Sequence, residues 1–339
     1  MPPSNGSSRP SFMKKSDATA RGRNPNRKPN LVKESSHLLK IDSKSIENKH
    51  KKREVIKKQE KLKKILKNQA RKQRRKDGVP AQAPITQEDK REKDDAIVKD
   101  EHVEEIKEEE EYDEFAEYFK SDVPPKVLIT TAWDAMLNKA KVPGRTTRWF
   151  IKELLECVPN SSFFTRRKYY LKQIIEFCKK KDFTDILVVG ERNSKPYSMI
   201  MIHLPDGPTA TFRLSTTRTS KYISNRAKSS TYYPELILNN FTTRLGYRMA
   251  RMFSAIFPQK PEFTGRRVVT LHCQRDFLFF RHHRYEFEDH LKSVRIQEIG
   301  PQVTFRLKSL QLGTFDTQFG EYEWFHRKEL DTSRRRFFM

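Results

Sequence analysis

The chain has 339 residues, with 69 Lys or Arg against 44 Asp or Glu and a formal charge of +25 at neutral pH. Such a charge implies strong, salt-dependent attraction to polyanions. The composition, 35% hydrophobic and 33% charged, fits one or two cored domains flanked by disordered stretches. No apolar run reaches transmembrane length and the start, MPPSNGSSRP, lacks an apolar signal core, which argues against a membrane partner and against secretion. Three cysteines, Cys157, Cys178 and Cys273, are odd in number and lack a Cys-x-x-Cys spacing. They point to a reducing compartment, with no disulfide framework or zinc ribbon.

Residues 1–48, rich in Ser, Asn, Pro and Lys, read as a disordered tail. Residues 49–77 read as a basic helical arm. From Lys49 to Lys76 there are fifteen Lys or Arg against two Glu, with a thin apolar stripe too sparse for a coiled coil. Two clusters, Lys49, Lys51, Lys52 and Arg53, then Arg71, Lys72, Arg74, Arg75 and Lys76, fit nuclear-import signals, and the arm could also turn helical on RNA. Residues 78–125 read as a linker, broken by Pro80 and Pro84 and then acidic. Between Asp100 and Glu117, eleven acidic residues face one Lys. A block of like charge is a solvated linker, or else a shield for a basic surface or a dock for a basic protein.

The folded part starts near Lys126. A strand at 127–130, helices at 146–158 and 166–181, and strands at 185–189, 197–204 and 209–214 follow in order, with turns at Asn193–Pro196 and Pro205–Gly207. Residues 215–230 form a basic connector. The pattern then restarts with a strand at 235–239, a helix at 242–257, a strand pair at 267–272 and 277–287, and strands at 294–299 and 303–310. Thr-Thr-Arg opens the long helix of each half, at 146–148 and 242–244, and Thr-Phe-Arg-Leu recurs at 211–214 and 304–307. The order predicts a duplicated α/β unit, with halves at about 126–218 and 234–313, mixed sheets in pseudo-twofold arrangement, and a groove or broad surface between them. A C-terminal extension follows at 314–339.

Enzyme signatures are missing from the sequence: no phosphate loop, no Gly-x-Gly-x-x-Gly and no Gly-x-Ser-x-Gly. His272, Cys273, His282 and His283 suggest a metal, but His282 and His283 are adjacent on a strand and point to opposite faces, and a fourth ligand is lacking. No cofactor and no small-molecule substrate is expected, and a nuclease would need a carboxylate cluster that the sequence does not offer. Binding of RNA fits better. In Arg266–Phe287, a run of Arg281, His282, His283 and Arg284 sits among aromatics. Arginine forks match phosphates, and guanidinium planes and rings stack on unpaired bases. Phe277–Phe280 are expected in the core, with Arg281–Arg284 at a sheet end or edge. Arg266, Arg267, Arg275, Arg145, Arg148, Arg218, Lys221, Arg226 and Lys228 complete the candidate RNA contacts. The bland alternative pairs Arg281 and Arg284 with Glu286, Glu288 or Asp289. Residues 126–313 hold 33 basic against 15 acidic side chains, so the folded part is itself basic. A protein–protein scaffold, whose basic surface meets an acidic partner, stays open beside RNA binding.

The segments Leu204–Leu214 (LPDGPTATFRL), Arg281-His282-His283 and Gly300–Leu307 (GPQVTFRL) resemble the motifs of the Brix domain family over about residues 126–313. The resemblance implies a fold in two α/β halves similar to anticodon-binding domains. It also implies a nucleolar ribosome-assembly factor that binds precursor ribosomal RNA and works with a dedicated partner protein. The tail, Gly313–Asp316, Glu321–Trp324 and Asp331–Arg335, resembles a branch of the family whose members act on the pre-60S particle, so maturation of the large subunit is implied. Cys273-Gln274-Arg275-Asp276 departs from the Asn-Gln-Arg-Asp expected in the family.

Overall fold

The computed structural model describes residues 42, 46–78, 83–86, 88–92, 96–99, 102–121, 123–134, 139–140, 142–288, 293–333 and 335–339. Two units, Met1–Pro84 and Ile85–Met339, divide the chain. The expected tail at 1–48 lies outside the described residues, apart from 42 and 46–48. In the first unit, α1 (Lys49–Lys76) follows the N-cap Asn48, whose side-chain oxygen accepts from the amides of His50 (3.0 Å) and Lys51 (3.2 Å). Arg74, Arg75 and Lys76 end it, where positive charge suits the helix dipole. None of its residues is buried, so no core holds it.

The second unit is built on a sheet of eleven described strands. The first half supplies β1 (Val127–Thr131), α4 (Arg145–Cys157), β4 (Ser161–Phe163), α5 (Leu171–Lys179), β5 (Asp185–Arg192), β6 (Lys195–His203) and β7 (Thr209–Arg218). The second supplies β8 (Glu235–Asn239), α6 (Arg244–Ser254), β9 (Arg267–Gln274), β10 (Phe277–Glu288), β11 (Ser293–Glu298) and β12 (Gln302–Gln311). A small pair, β2 (Trp133–Asp134) and β3 (Lys139–Ala140), stands apart. Along the main path the order is β4-β1-β5-β6-β7-β12-β10-β9-β8. β1 runs parallel to β5, and β8 parallel to β9, while all the pairs between them are antiparallel. The two halves thus join into one continuous mixed sheet, with β7 and β12 at its centre.

The repeats test the duplication. Across β7 and β12 the two Thr-Phe-Arg-Leu copies pair with each other: Phe305 opposite Leu214, Arg306 opposite Arg213, Leu307 opposite Phe212. The pseudo-twofold axis therefore passes between Arg213 and Arg306. Each hairpin turns on two residues at positive φ, Asn193 and Ser194 (50° and 57°) in the first, Arg275 and Asp276 (52° and 61°) in the second. The Thr-Thr-Arg copies are not equivalent. Thr146-Thr147-Arg148 lies inside the first turn of α4, whereas Thr243 caps α6 by accepting from the Gly246 amide at 3.0 Å.

The second predicted helix of the first half starts later than expected, at Leu171. Arg167 sits at φ 51°, which a helix cannot continue through. The predicted pattern also misses the short β4, a parallel edge partner of β1.

Both long helices, α4 and α6, cover the same face of the sheet. Phe150, Ile151 and Leu154 of α4 and Met249, Met252 and Phe253 of α6 join Phe212, Leu278, Phe280 and Phe305 in one core. Rings of Phe212, Phe253 and Phe305 lie 5.5–5.7 Å apart across the central strands, a spacing that suits tilted aromatic packing. On the opposite face α5 covers only the first half, through Leu171, Ile174, Ile175 and Cys178. Among the described residues no counterpart helix covers the second half, because residues 255–266 hold only a short turn of 3-10 helix at Phe263–Gly265. All three thiols are buried and free, and burial pushes those of Cys157 and Cys273 up to about 12.

The acidic segment is no solvated linker. α2 (Val103–Glu111) and α3 (Ala116–Ser121) pack on the domain, with Phe115 between them at zero exposure against the His203 ring. His203 is itself buried and meets Asp185 at 2.9 Å. The acidic side chains take hold of α6. Arg244 pairs with Glu105 and Glu109, Arg248 with Glu114, and Arg251 with Asp113 and Glu110. Spacings of four and three residues put these arginines on one stripe of the helix. The C-terminal extension is likewise integrated. β13 (Tyr322–Phe325) pairs with β12, and Met339 is 3% exposed in the core.

Candidate nucleic-acid interface

On the uncovered face, strand register sets out rows of side chains. One row runs Ser198, Arg213, Arg306, Phe277, Gln274; the next runs Ser215, Thr304, Phe279, His272, Asn239. Arg281, opposite Thr270, opens a third. Arg213 is exposed, and its guanidinium lies 5.4 Å from the Tyr197 ring, which Arg192 also approaches at 5.3 Å. Arg306 lies 5.6 Å from the Phe277 ring and is held by Asp331 at 3.1 Å and by His326 at 3.0 Å. Partial burial, then repulsion from Arg306 and Arg213, holds the Lys308 ammonium below the ordinary lysine range. Arg281 donates to the carbonyls of Phe280 (2.8 Å) and Val303 (3.1 Å), and burial lowers its pKa, with Arg218 adding repulsion. Crowded cations interleaved with half-buried rings form a surface that can hold phosphates and stack bases.

The sequence-predicted contacts fall into five places. Arg218, Arg281 and His283 belong to the uncovered face or its end. Arg226 and Lys228 line a cavity on the helix side, with Arg267 and His282 in its floor and Lys221 beside it on the Trp149 ring. Arg266, exposed and 3.6 Å from Glu286, and Arg284 line a groove at the far end of β10 with Arg295. Arg275 sits at the opposite end of that strand, 3.6 Å from Glu88. Arg145 and Arg148 stand exposed in the first turn of α4, where the helix dipole disfavours cations and an external anion would be welcome. The clusters expected to direct import lie on α1.

Two residues differ from their expected surface position. His282 is 1% and Arg267 3% exposed. The His282 Nδ1–H donates to the Gly300 carbonyl at 3.0 Å, which leaves Nε2 to accept from Arg267 Nε at 3.2 Å. Burial, then the neighbouring Arg267 charge, drives the His282 pKa down to about 3. Arg267 further binds the carbonyls of Ser230, Tyr232 and Glu156. Strand alternation explains the change: Leu278, Phe280 and His282 share the core face, and Phe277, Phe279, Arg281 and His283 the other. Phe277 and Phe279 therefore leave the core expected for them. The strongest additions to the candidate surface, Arg213 and Arg306, were signalled by the repeated tetrapeptide, whose two arginines occupy matching places. Among the described residues, no group of three or more His, Cys, Asp or Glu could hold a metal ion.

A duplicated unit joined through central Thr-Phe-Arg-Leu strands defines a class, and the Brix domain profile matches residues 141–309. The chain belongs to the Brix domain family. Within it, the chain is 47% identical over 260 residues to ribosome production factor 1 of Pongo abelii, covering 76% of this chain and 72% of that protein. It is 49% identical over 259 residues to a Brix domain-containing protein of Caenorhabditis elegans, where the match spans 76% of this chain and 65% of that protein. A solved structure, described as a probable ribosomal biogenesis protein from Aeropyrum pernix K1, is similar at TM-score 0.40 and 17% identity, covering 54% of this chain and 96% of that one.

Proposed function

We propose that this protein is a ribosome biogenesis factor that binds precursor ribosomal RNA, without chemistry of its own, during large-subunit assembly in the nucleolus. The name of its relatives, ribosome production factor, supports the process. The uncovered sheet face, with Arg213 opposite Arg306 and rings of Phe277 and Phe279 beside them, carries the RNA reading. Arginine forks there bind phosphate, and the rings accept unpaired bases. The basic α1 supplies non-specific attraction and the import signal.

The test is anisotropy titration of the full chain with structured fragments of large-subunit precursor RNA at several salt concentrations. Expected is tight binding at low salt that weakens linearly on a log–log plot. Absence of binding at low salt would overturn direct RNA contact. The second reading, a scaffold within the pre-60S particle, is favoured by one observation: Phe287, Val294 and Ile296 are 48%, 46% and 65% exposed along the β10–β11 hairpin. An exposed apolar strand is a template for a partner chain, and a dedicated protein partner would dock there. Crosslinking to RNA from positions 213, 281 and 306 separates the two.

A further inference from the structure

A cavity of about 860 Å³ lies on the helix side of the sheet, between α4 and the connector 220–233. Its size falls in the roughly 300–1,000 Å³ range of ligand sites. The floor is polar, buried and internally fixed. Glu153, 5% exposed, accepts from the Ser220 amide at 2.8 Å and from the Ser220 hydroxyl at 2.8 Å, and Arg226 reaches that hydroxyl at 2.5 Å. Arg267, tied to His282, clamps the connector through the carbonyls of Ser230 and Tyr232 and ties it to α4 through that of Glu156.

Two features of the lining point to a ligand. The hydroxyl oxygens of Ser229 and Ser230, two of the lining residues, are buried without a hydrogen-bond partner among the described residues, a condition that a native site tolerates for a ligand or water. The Tyr232 ring is 46% exposed, although its backbone is clamped and Gly265 lies so close that a Cβ there would stand 2.3 Å from the Tyr232 Cβ. At the mouth, exposed Lys152, Arg226 and Lys228 gather with Lys221, whose ammonium sits 3.6 Å from the Trp149 ring centroid. Cations at the mouth, a presented aromatic ring and unfilled hydroxyls inside call for an anion joined to a flat, polar-edged ring.

We propose that this cavity takes one unstacked nucleotide of a single-stranded RNA segment. Its phosphates lie on Lys152, Arg226 and Lys228, its base stacks on Tyr232, and the Ser229 and Ser230 hydroxyls turn to meet its base edge or 2′-hydroxyl. The proposal rests on the RNA reading above, but it concerns the opposite face of the sheet. A free mononucleotide shares the chemistry, so the test separates the two sources.

The probe is a 12-nucleotide single-stranded RNA carrying one 2-aminopurine, titrated into the full chain by anisotropy and by fluorescence. A blunt RNA duplex and free AMP serve as further ligands. Wild type is expected to change the 2-aminopurine signal on binding. Tyr232→Ala should lower single-strand affinity about tenfold, within the range of one base–aromatic stack. It should abolish the fluorescence change and leave duplex affinity unaltered. Lys228→Glu, at an exposed position, should weaken single-strand binding without altering the melting temperature. If both variants bind the single strand as wild type does, with the fluorescence change intact, the cavity assignment falls while the RNA reading stands. If wild type binds no RNA at all, both fall. Tight AMP binding that RNA does not displace would overturn the assignment to an RNA strand.

Discussion

Arg213 and Arg306 are cross-strand neighbours on the pseudo-twofold axis, each the arginine of its own Thr-Phe-Arg-Leu copy. Like charges placed directly opposite each other destabilise a sheet by some tenths of a kcal/mol. A position that costs stability in both copies fits a surface built for an anion. Arg213→Gln is expected to leave the melting temperature unchanged or slightly raised. The double change Arg213→Gln with Arg306→Gln should weaken RNA binding and reduce the salt slope by about 1.4, or about 0.7 for each lost phosphate contact to a single strand. Melting curves and salt titrations on the same preparations check both halves of the prediction.

Phe212 and Phe305 meet on the other side of the same two strands, 5.7 Å apart, and neither exceeds 2% exposure. Either Phe→Ala change should cost about 3–5 kcal/mol. Because the two cavities would merge, the double variant should lose less than the sum. Urea unfolding of the four species measures this coupling.

The hold of the acidic segment on α6 should be uneven. Arg251 forks onto Asp113 at 2.5 and 3.0 Å, with both side chains under 20% exposed. Asp113→Ala should cost about 1.5–3 kcal/mol, and salt should change that little. Arg244 and its partners Glu105 and Glu109 are more than half exposed. Glu109→Ala should cost less than about 1 kcal/mol, and 0.5 M salt should erase the effect. Chemical unfolding at two salt concentrations distinguishes the pairs.

His282 gives the fold a pH dependence. With its folded pKa near 3 and an unfolded value near 6.5, the unfolded chain binds the extra proton between those limits. Stability is therefore lost as pH falls below about 6.5, at up to about 1.4 kcal/mol per pH unit. Buried Glu153 and half-buried Asp276, whose pKa values burial raises, act in the opposite sense. The contribution of His282 is thus the difference between wild type and His282→Gln. That variant should be less stable at pH 7, and the gap should narrow toward pH 5. Unfolding free energies across pH 5–7.5 test the sign.

The basic clusters on α1 should direct import. Replacing Lys51, Lys52, Arg53, Arg74, Arg75 and Lys76 with Gln is expected to shift a fluorescent fusion out of the nucleus while leaving the melting of the second unit unchanged. Imaging and calorimetry read the two outcomes separately.

Local pattern was enough for most elements of the duplicated unit, though not for β4, the start of α5 or the helices α2 and α3. Alternating apolar residues, the turns at Asn193–Ser194 and Arg275–Asp276, and the repeated Thr-Phe-Arg-Leu marked the hairpins, the long helices and the duplication, because period and turn chemistry act over a few residues. Which side of a strand meets water was not legible in the same way. Along β10 the sequence shows polar bases after aromatics, yet His282 turns inward and Phe277 outward. The choice depends on α6 and α4 covering one face and on there being, among the described residues, no second α5 over the other. Likewise the acidic run reads as a solvated linker until Arg244, Arg248 and Arg251, more than 130 residues later, are brought onto one stripe facing it. The sequence determined the units and their charge. Only tertiary packing decided which charges are consumed inside the fold and which remain exposed, because burial and pairing join residues that no local period relates.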